Sequence, residues 1–381
     1  MGVRRVAVIG GGPAGIYAAW GAARRGFDVA LYEESSIGAS MKRWGPLRLF
    51  TPMSMNAPRD LLDELRVDGL DDLTTGPELI DRVLEPATRH PLLAGRAHSG
   101  TSVLAVGRRG VTKMDFAGHP MRAEKPFRLL LHSDSGEEWT ESDLVLDASG
   151  GYAIPAPAGA GGIPAPGEAS SVEYLIRHLG DLHRRLPDLA GKSVLLAGNG
   201  HSAAHALLWM IEARIDVVWA VRTTNRRPCA EIANDPLPER RAIASRANDL
   251  AENPPSNLRI ERRAMIERIT PIEKRARVVL TGDRTVDVDC IAAFTGWTPR
   301  ADHLSALQIE TSPVTGGTAR LWRALSSITD CLAAPRVGPE DLQTGEPGYF
   351  FVGSRSYGRA PTFLLQAGMQ QIDTILEGLK P

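Results

Sequence analysis

The feature that most constrains the fold is a glycine turn near the start of the chain, within VAVIGGGPAGIYAAWGAARRGFDVALYE at residues 6–33. The apolar run at 6–9 predicts a buried strand of a parallel sheet. Gly10, Gly12 and Gly15 then form a G-x-G-x-x-G turn. In such a turn the first glycine allows the reversal, the second lets a pyrophosphate approach the backbone, and the third lets the next helix pack closely. The stretch therefore predicts strand, turn, helix and strand, with a dinucleotide at the turn.

The helix and the second strand complete this motif. The helix opens with Pro13 and Ala14, and its N-terminal amides form an anion site that needs no basic side chain. The strand at 27–32 leads to Glu33, where this fingerprint places an acid that holds a ribose hydroxyl. Because strands, helix and acid are in register, we predict an adenine dinucleotide bound without a covalent link. The alternative is a glycine-rich turn that binds nothing.

Composition narrows the remaining classes of protein. A length of 381 residues predicts two domains. The 44 basic and 45 acidic residues nearly balance and form no basic block, so neither nucleic acid nor a membrane surface is expected as a partner. No stretch reaches the roughly 18 uninterrupted apolar residues of a membrane span. Cys229, Cys290 and Cys331 lie far apart and form no C-x-x-C pair, which predicts a soluble protein in a reducing, cytoplasmic compartment.

An irregular segment, SSIGASMKRWGPLRLFTPMSMNAPRDLL at 35–62, follows the second strand. Its prolines argue against one continuous helix, and in a nucleotide-binding fold such a segment lies over the carboxyl ends of the strands, where ligands bind. The candidate pocket residues carry apolar or amide side chains: Trp44, Phe50, Met53, Met55 and Asn56. Ordinary packing under a loop is the alternative for Phe50 and the methionines. For Asn56 the alternative is the cap of a helix that begins near Ala57.

A β-rich stretch and a linker end the first half of the chain. Strands are predicted at 102–107, 127–132 and 144–148, and Gly150 follows the last of them. The proline- and glycine-rich residues 154–167 have the composition of a domain boundary.

The second half repeats the plan of the first. An apolar run at 193–197 predicts a strand, and Gly198, Gly200 and Ala203 give a G-x-G-x-x-A turn before a helix and a strand at 216–221. An internal repeat of this kind predicts two nucleotide sites in one chain.

His201 and Ser202 open the predicted helix beside this second turn. They are candidate contacts for a second pyrophosphate. The alternative is two ordinary residues of a helix N-terminus, with no part in binding.

The end of the following strand distinguishes the two sites. Where Glu33 ends its strand, Arg222 ends this one, with Arg226 and Arg227 nearby. An acid at this position repels a 2′-phosphate, whereas an arginine accommodates it. We therefore predict NADPH rather than NADH at the second site. The alternative is a set of surface charges on a loop.

The C-terminal stretch, YFFVGSRSYGRAPTFLLQAGMQQIDTILEGL at 349–379, predicts a strand at 349–352, a glycine turn and a helix over about 361–379. A strand, turn and helix at this place would return to complete the first domain. The helix N-terminus, around Thr362 and Phe363, is predicted to stabilise negative charge on a bound cofactor ring.

These motifs together resemble the two-dinucleotide-binding-domain flavoproteins. The matching segments are GGGPAG with Glu33, DASG at 147–150, GNGHSA at 198–203, FTGW at 294–297 and the terminal FFVGS with its turn and helix. The resemblance implies an α/β fold with two Rossmann-like, three-layer ββα domains. The first, at 1–155 plus 298–381, would be completed by the C-terminal segment and bind FAD. The second, at 165–297, would bind NAD(P)H.

The same resemblance assigns individual residues to the FAD site. Those implied to hold its ADP part are Gly10, Gly12, Gly15 and Glu33, with Val103 at the adenine through its backbone. Gly150 ends one of two Ala-Thr-Gly-like segments that mark the crossings between domains. Gly353 precedes Ser354, which replaces the aspartate that usually holds the ribityl chain, so that this contact stays open.

Within these flavoproteins, two segments resemble the flavin-containing and N-hydroxylating monooxygenases. SIGASMKRW is similar to their isoleucine-glycine-glycine-x-tryptophan stretch, which places Trp44 among the cofactor residues, and GNGHSA is similar to their G-x-G-x-S-A motif. The Baeyer–Villiger fingerprint is absent, since Phe116 to His119 match only its start.

Three functions remain in view. The first is an NADPH-dependent flavin monooxygenase that oxygenates a small, soft nucleophile. Here Asn56 is the candidate catalytic residue, because a neutral amide can donate a hydrogen bond without supplying an acid proton. The second is an NAD(P)H:acceptor reductase that passes electrons to a quinone, an electron carrier or a small disulfide. The third is a non-catalytic flavin-binding redox sensor. A dithiol mechanism is disfavoured, because it needs two neighbouring cysteines. A small-molecule substrate is expected, and a homodimer is possible.

Overall fold

The computed structural model of the chain describes residues 4–232, 235–327, 337–360 and 362–380. The strands, numbered in chain order, are β1 (Arg5–Ile9), β2 (Asp28–Glu33), β3 (Arg48–Pro52), β4 (Leu73–Thr75), β5 (Ala97–Ser99), β6 (Ser102–Arg108), β7 (Phe127–Ser133), β8 (Gly136–Ser142), β9 (Leu144–Asp147), β10 (Ile154–Pro155), β11 (Leu175–Ile176), β12 (Ser193–Ala197), β13 (Asp216–Val221), β14 (Leu258–Arg262), β15 (Ile266–Ile272), β16 (Arg275–Leu280), β17 (Arg284–Val288), β18 (Cys290–Ala293), β19 (Trp297–Thr298) and β20 (Tyr349–Phe351). The α-helices are α1 (Pro13–Arg24), α2 (Ala39–Lys42), α3 (Met53–Asn56), α4 (Arg59–Glu64), α5 (Gly76–Leu79), α6 (Glu85–Arg89), α7 (Leu179–Leu189), α8 (His201–Glu212), α9 (Pro238–Glu252), α10 (Ala319–Leu325), α11 (Ser354–Tyr357) and α12 (Leu365–Glu377).

The chain divides into two compact units. The first unit contains residues 1–42, 51–154 and 297–381, and the second contains residues 43–50 and 155–296. The C-terminal segment thus belongs with the N-terminal one, as expected for a domain that is completed by the end of the chain.

The first unit is built on a five-stranded sheet in the order β20-β9-β1-β2-β5, with every neighbouring pair parallel. The pairing places Ile9 beside Tyr32 on β2 and beside Asp147 on β9, and it places Phe351 beside Asp147. The carboxyl ends of four strands therefore meet at one edge of the sheet, and the first glycine turn leaves from that edge.

Two further layers cover this sheet. Successive strand residues face opposite sides, and Ala7 and Ile9 share a core with Phe127 of the antiparallel sheet β6-β7-β8. Helices α1 and α12 pack together as the other layer. A Cβ on Gly21 of α1 would lie only 3.1 Å from Cδ1 of Leu376, so glycine permits this close helix contact.

The second unit repeats the three layers. Its parallel sheet has the order β11-β18-β12-β13-β14, and a second antiparallel sheet contains β15, β16 and β17. Along β12, Val194 and Leu196 pack with Leu207 of α8, while Leu195 between them packs with Ile266 of β15. This alternation separates the helical core from the core under the antiparallel sheet. The predicted α/β fold with two Rossmann-like, three-layer domains is confirmed.

Residues 43–50 lie in the second unit. The predicted boundaries, 155 and 298, lie next to the observed 154 and 297, but residues 43–50 belong to the second unit. This segment packs against the start of α7, where a Cβ on Gly180 would be 2.1 Å from the carbonyl oxygen of Arg43. Within the described ranges, no helix has the length and apolar character needed to span a membrane.

Candidate functional site

The first glycine turn combines two tightly packed glycines with one that faces open space. Gly10 has a φ of +100°, and a Cβ there would lie 2.6 Å from the carbonyl oxygen of Ala148. A Cβ on Gly15 would lie 1.8 Å from the carbonyl oxygen of Gly10. By contrast, a Cβ on Gly12 would have no protein atom within 4 Å. The fold thus requires Gly10 and Gly15, while Gly12 leaves an open cradle at the start of α1.

The cradle is an anion site by geometry. Pro13 is the first residue of α1, and Gly12 caps the helix without any side-chain hydrogen bond, so the first amides of the helix are free to bind a ligand. The C-terminal turn packs against this helix end, because a Cβ on Gly353 would lie 2.3 Å from the Cβ of Ala14.

Glu33 lies beside the same turn. Its Oε2 accepts a hydrogen bond from the amide of Gly11 at 2.6 Å, and its Oε1 accepts one from the amide of Ser35 at 2.9 Å. Burial raises the pKa of this carboxyl above its ordinary value, although both amide hydrogen bonds act in the opposite direction. The Glu33 carbonyl accepts the amide hydrogen of Thr101 at 2.8 Å, two residues before Val103 on β6. The adenine contact of Val103 stays a prediction.

The edge of the sheet next to the turn carries an unsatisfied hydroxyl. The Ser149 amide donates to Oδ1 of Asp147 at 3.0 Å, but the buried Oγ of Ser149 has no partner among the described residues. Gly150 follows it, and the next amide, that of Gly151, donates to Oγ of Ser354 at 3.2 Å. The segment 148–151 and the terminal turn at Gly353 and Ser354 therefore meet beside Gly10.

Asn56 is placed differently from the prediction. Its side chain is fully buried, its Oδ1 accepts from the Thr51 hydroxyl at 2.6 Å, and its Nδ2 donates to the Thr51 carbonyl at 2.8 Å. It ends α3 and caps no following helix, since Pro58 is the residue before α4. With no exposed surface, the amide cannot reach a ligand, so this geometry does not support the catalytic role predicted for Asn56.

The structure also places Trp44 and the residues before the last helix. Trp44 is half-buried and belongs to the second unit, not to the first, so its assignment to the FAD site remains untested. The last helix begins at Leu365, because Leu364 is extended. Thr362 and Phe363 therefore precede the helix N-terminus that the sequence placed at them, and the Phe363 ring packs on Tyr357 at 5.3 Å between centroids.

The second glycine turn has the same construction with one change. Gly198 has a φ of +122°, and a Cβ there would lie 2.4 Å from the carbonyl oxygen of Phe294. A Cβ on Gly200 would have nothing within 4 Å, so this turn also has an open cradle. Ala203 replaces the third glycine, and its methyl group is fully buried. His201 and Ser202 form the start of α8 beside this cradle.

The arginines after β13 divide into two groups. Arg222 and Arg226 are exposed, and neither forms an ion pair within the part of the chain that the structure describes. Arg227 instead binds three carboxylates, those of Glu231, Asp249 and Glu252, at 2.7, 2.9 and 2.7 Å. The predicted help of Arg227 in reading a phosphate is therefore not supported, because its charge is already compensated.

A buried cluster at the edge of the first sheet was not predicted. Oδ2 of Asp147 accepts hydrogen bonds from Nε2 of His303 and from the Tyr349 hydroxyl, each at 2.9 Å, and Nε of Arg355 lies 3.6 Å away. Burial alone would raise the pKa of Asp147, but His303 and Arg355 hold it well below its ordinary value. The one feature of the sequence that could have indicated this cluster is the position of Asp147, an acid at the end of an apolar strand and directly before Ala148-Ser149-Gly150.

Two cysteines lie within the described residues, and both are in the second unit. Cys229 and Cys290 are free and buried. Burial, followed by the charge of Glu231, raises the pKa of Cys229 to about 12, and burial also raises the pKa of Cys290. Both are therefore protonated thiols near neutral pH. Cys331 lies outside the described residues.

Comparison with known proteins shows what this arrangement is similar to. The model of the pyridine nucleotide-disulphide oxidoreductase family matches residues 4–317. A bacillithiol disulfide reductase of Bacillus cereus superposes with a TM-score of 0.71 at 17% identity, over 98% of each chain. An ornithine N-hydroxylase of Kutzneria superposes with a TM-score of 0.65 at 16% identity, over 99% of this chain and 98% of that one.

Two further matches complete the comparison. The thioredoxin reductase of T. acidophilum superposes with a TM-score of 0.62 at 16% identity, over 98% of this chain and 99% of that one. A thiamine thiazole synthase of Desulfosudis oleivorans is 56% identical over 46 residues, which are 12% of this chain and 17% of that protein's length. The latter match is thus confined to a short segment of both proteins.

Proposed function

This chain belongs to the pyridine nucleotide-disulphide oxidoreductase family, and within that family we propose that it is an NADPH-dependent flavin monooxygenase. Membership makes it an oxidoreductase that depends on FAD and NAD(P)H. The proposed reaction adds one oxygen atom of O₂ to a small molecule with a nucleophilic nitrogen or sulfur. NADPH and a proton supply the reducing equivalents, and the second oxygen atom leaves as water.

The residues of the first unit fit FAD. The open cradle at Gly12 and the free amides of α1 would hold its diphosphate. Glu33, beside the same turn, would hold the adenosine ribose. When bound, FAD accepts a hydride from a reduced nicotinamide and, once reduced, reacts with O₂.

The distribution of cysteines is the observation that carries the choice of reaction. Reduction of a disulfide through a protein dithiol needs two cysteines that can meet beside the flavin. The first unit contains one cysteine in its whole sequence, Cys331. Cys229 and Cys290 are buried, protonated thiols of the other unit. This count favours a reaction in which electrons pass from the flavin directly to oxygen, one atom of which is then added to the substrate.

The structural neighbours leave both reactions open, because they include reductases as well as hydroxylases. A likeness at 16–17% identity supports the fold alone.

Charge at the second turn supports NADPH as the electron donor. Arg222 directly follows β13, one residue beyond the position that corresponds to Glu33 at the end of β2, and it forms no ion pair with a carboxylate among the described residues. Arg262 fixes the shape of this loop, because its guanidinium donates to the carbonyls of Asn225 and Arg226, each at 3.1 Å. The loop thus holds Arg222 and Arg226 exposed, as binding of a 2′-phosphate requires.

The fate of oxygen tests this proposal. Purified protein loaded with FAD is supplied with NADPH and ¹⁸O₂, together with panels of primary amines, thioethers and thiols. A monooxygenase incorporates one ¹⁸O atom into a product for each NADPH consumed, with little peroxide. Stoichiometric peroxide and no labelled product across these panels, with rapid turnover when a quinone or a small disulfide is added, would instead identify an acceptor reductase.

A further inference from the structure

The residue that follows the open glycine of the second turn is a histidine, His201. His201 is the first residue of α8 and directly follows Gly200, whose open cradle faces the helix N-terminus. The ring is only partly exposed. Phe50 covers it edge-on at 5.7 Å between centroids, and the same phenyl ring stacks on His205 at 5.8 Å. Residues four apart share one face of a helix, so Phe50 shields both imidazoles.

Charged groups reach His201 from the segment that contains α9. Asp235 and Arg240 form a buried ion pair in which Nε and Nη2 of Arg240 contact the two carboxylate oxygens at 2.7 and 2.6 Å. From α8 itself the neighbouring titratable group is His205, and residues 43–50 contribute the uncharged ring of Phe50. The surroundings thus contain one cation, one anion and one further imidazole.

This environment keeps His201 uncharged before a ligand binds. Burial and then the charge of Arg240 lower the pKa of His201 below its ordinary value, and Asp235 offsets part of this effect. Burial, His201 and Arg246 lower the pKa of His205 to about 4, so His205 stays neutral throughout the physiological range.

We propose that His201 takes up one proton from solvent when the diphosphate of the nicotinamide cofactor binds in the Gly200 cradle. This inference rests on the proposed binding of NADPH at the second turn. The diphosphate brings two negative charges to the α8 N-terminus, where the sequence GNGHSA offers no lysine or arginine. Negative charge brought close to an imidazole favours the imidazolium. His201 therefore supplies a positive charge only while the cofactor is bound.

Proton uptake makes binding dependent on pH, with a defined sign. Because the bound state holds one more proton, affinity is greatest at low pH and falls as pH rises above the pKa of the free imidazole. One linked proton changes the dissociation constant by at most about tenfold per pH unit. Oxidised cofactor would consequently leave faster at higher pH, with release of the same proton.

Calorimetry measures this proton directly. FAD-loaded protein is titrated with NADP⁺ at pH 7.5 in buffers of low and of high ionisation enthalpy, and the difference in the heat of binding between the buffers gives the number of protons taken up. The cofactor's 2′-phosphate contributes little at this pH, since such phosphates have a pKa of about 6. We expect wild-type protein to take up a substantial fraction of one proton and His201→Gln to take up none. The dissociation constant of the variant should also become flat between pH 7 and 8.5. His183→Gln, an exposed imidazole on α7, is the matched control and should behave like wild type.

The outcomes separate this inference from the proposed function. If NADP⁺ binds with no buffer-dependent heat, or if His201→Gln retains the uptake, His201 is not the proton acceptor, while the cofactor assignment stands. If neither NADP⁺ nor NAD⁺ binds to correctly folded protein, the proposed function fails. The wild-type measurement alone decides the uptake, and His201→Asn is a second variant should the glutamine variant fail to fold.

Discussion

At the scale of single residues, the two glycine turns separate what the fold requires from what a ligand requires. Gly10 and Gly15 are closed off by backbone atoms, whereas Gly12 and Gly200 face open space and have extended backbones that any residue adopts. A side chain at Gly12 or Gly200 should therefore leave the protein folded and act only on the ligand.

The first prediction uses this pair of glycines. Gly12→Val should lose FAD, because its side chain fills the place of the diphosphate, and the fall in affinity should exceed about tenfold, or 1.4 kcal/mol. Gly200→Val is the matched control and should keep FAD but lose NADP⁺ binding. Flavin content by absorbance and circular dichroism of each purified variant are the measurements. Gly12→Val protein that is purified fully yellow would contradict the assignment of the cradle.

The second prediction concerns Arg222. Loss of a charge-assisted contact with the 2′-phosphate is worth roughly 1.5–3 kcal/mol, or about ten- to a hundredfold. Arg222→Ala should raise the KM for NADPH by this factor and leave the KM for NADH nearly unchanged, as read from anaerobic flavin reduction. Arg259→Ala, which removes an arginine already paired with Glu261, should change neither value. Equal use of the two donors by wild-type protein would refute the preference for NADPH.

At the scale of elements, the sequence predicted those strands, turns and helices that depend on the pattern of neighbouring residues. Buried apolar runs and glycine turns identified both strand-turn-helix motifs, since a strand such as β12 is buried on both faces. The start of α12 was placed too early, because the sequence from Thr362 to Leu364 has no helix breaker after residue 361. In the structure Leu364 is extended and the helix begins at Leu365, while the Phe363 ring before it packs on Tyr357.

Side-chain networks that join distant parts of the chain could not be predicted from the sequence. Asp147 binds His303 and Tyr349, which are 156 and 202 positions away, and no periodicity relates such residues. The contact that Asn56 makes was also not visible in the sequence. Its apolar neighbours suggested a pocket, but its partner is Thr51 and its environment is the interior.

The third prediction tests the strongest of these networks. Glu346 is fully buried and binds both Arg108 and Arg122, at 2.9 Å in each case. These ion pairs connect the end of β6 and the loop between β6 and β7 to the segment before β20. Glu346→Gln leaves two buried guanidinium groups without a counter-charge, and loss of one partner of a buried pair costs about 3–5 kcal/mol. The midpoint of urea denaturation at pH 7 should fall markedly. It should not change for Glu340→Gln, since Glu340 is exposed.

The pH dependence of this network has a definite sign. Burial on its own would raise the pKa of Glu346, but hydrogen bonds from Arg122, the amide of Gln308 and Arg108 lower it below its ordinary value of 4.5. The carboxylate therefore stabilises the fold above about pH 4.5, and this contribution is lost as the pH falls through the lowered pKa of the folded state. Denaturation midpoints measured between pH 6 and 3 should fall more steeply for wild type than for Glu346→Gln. Parallel curves would show that the carboxylate is not ionised in the fold.

At the scale of the whole molecule, one scaffold is used twice, with different charges near the end of the second strand of each unit. Both units have a parallel sheet, an antiparallel sheet and a helix that begins at an open glycine. The first has an acid, Glu33, as the last residue of its second strand, and the second has Arg222 directly after the corresponding strand, one residue further along. The chain thus presents two dissimilar nucleotide sites, as expected for a protein that moves electrons from one nucleotide to the other.

The last prediction asks whether any cysteine takes part in that transfer. The proposed monooxygenase needs none, so a variant with Cys229→Ala, Cys290→Ala and Cys331→Ser should keep NADPH-dependent flavin reduction and oxygen consumption within about twofold of wild type. Because Cys229 and Cys290 are buried, the variant should lose stability, by roughly 1 kcal/mol for each site. Stopped-flow reduction and an oxygen electrode make the measurement, with flavin content and circular dichroism as controls for folding. Loss of turnover in folded, fully FAD-loaded variant would show that a thiol carries electrons, and Cys331→Ser alone would then identify whether it lies in the first unit.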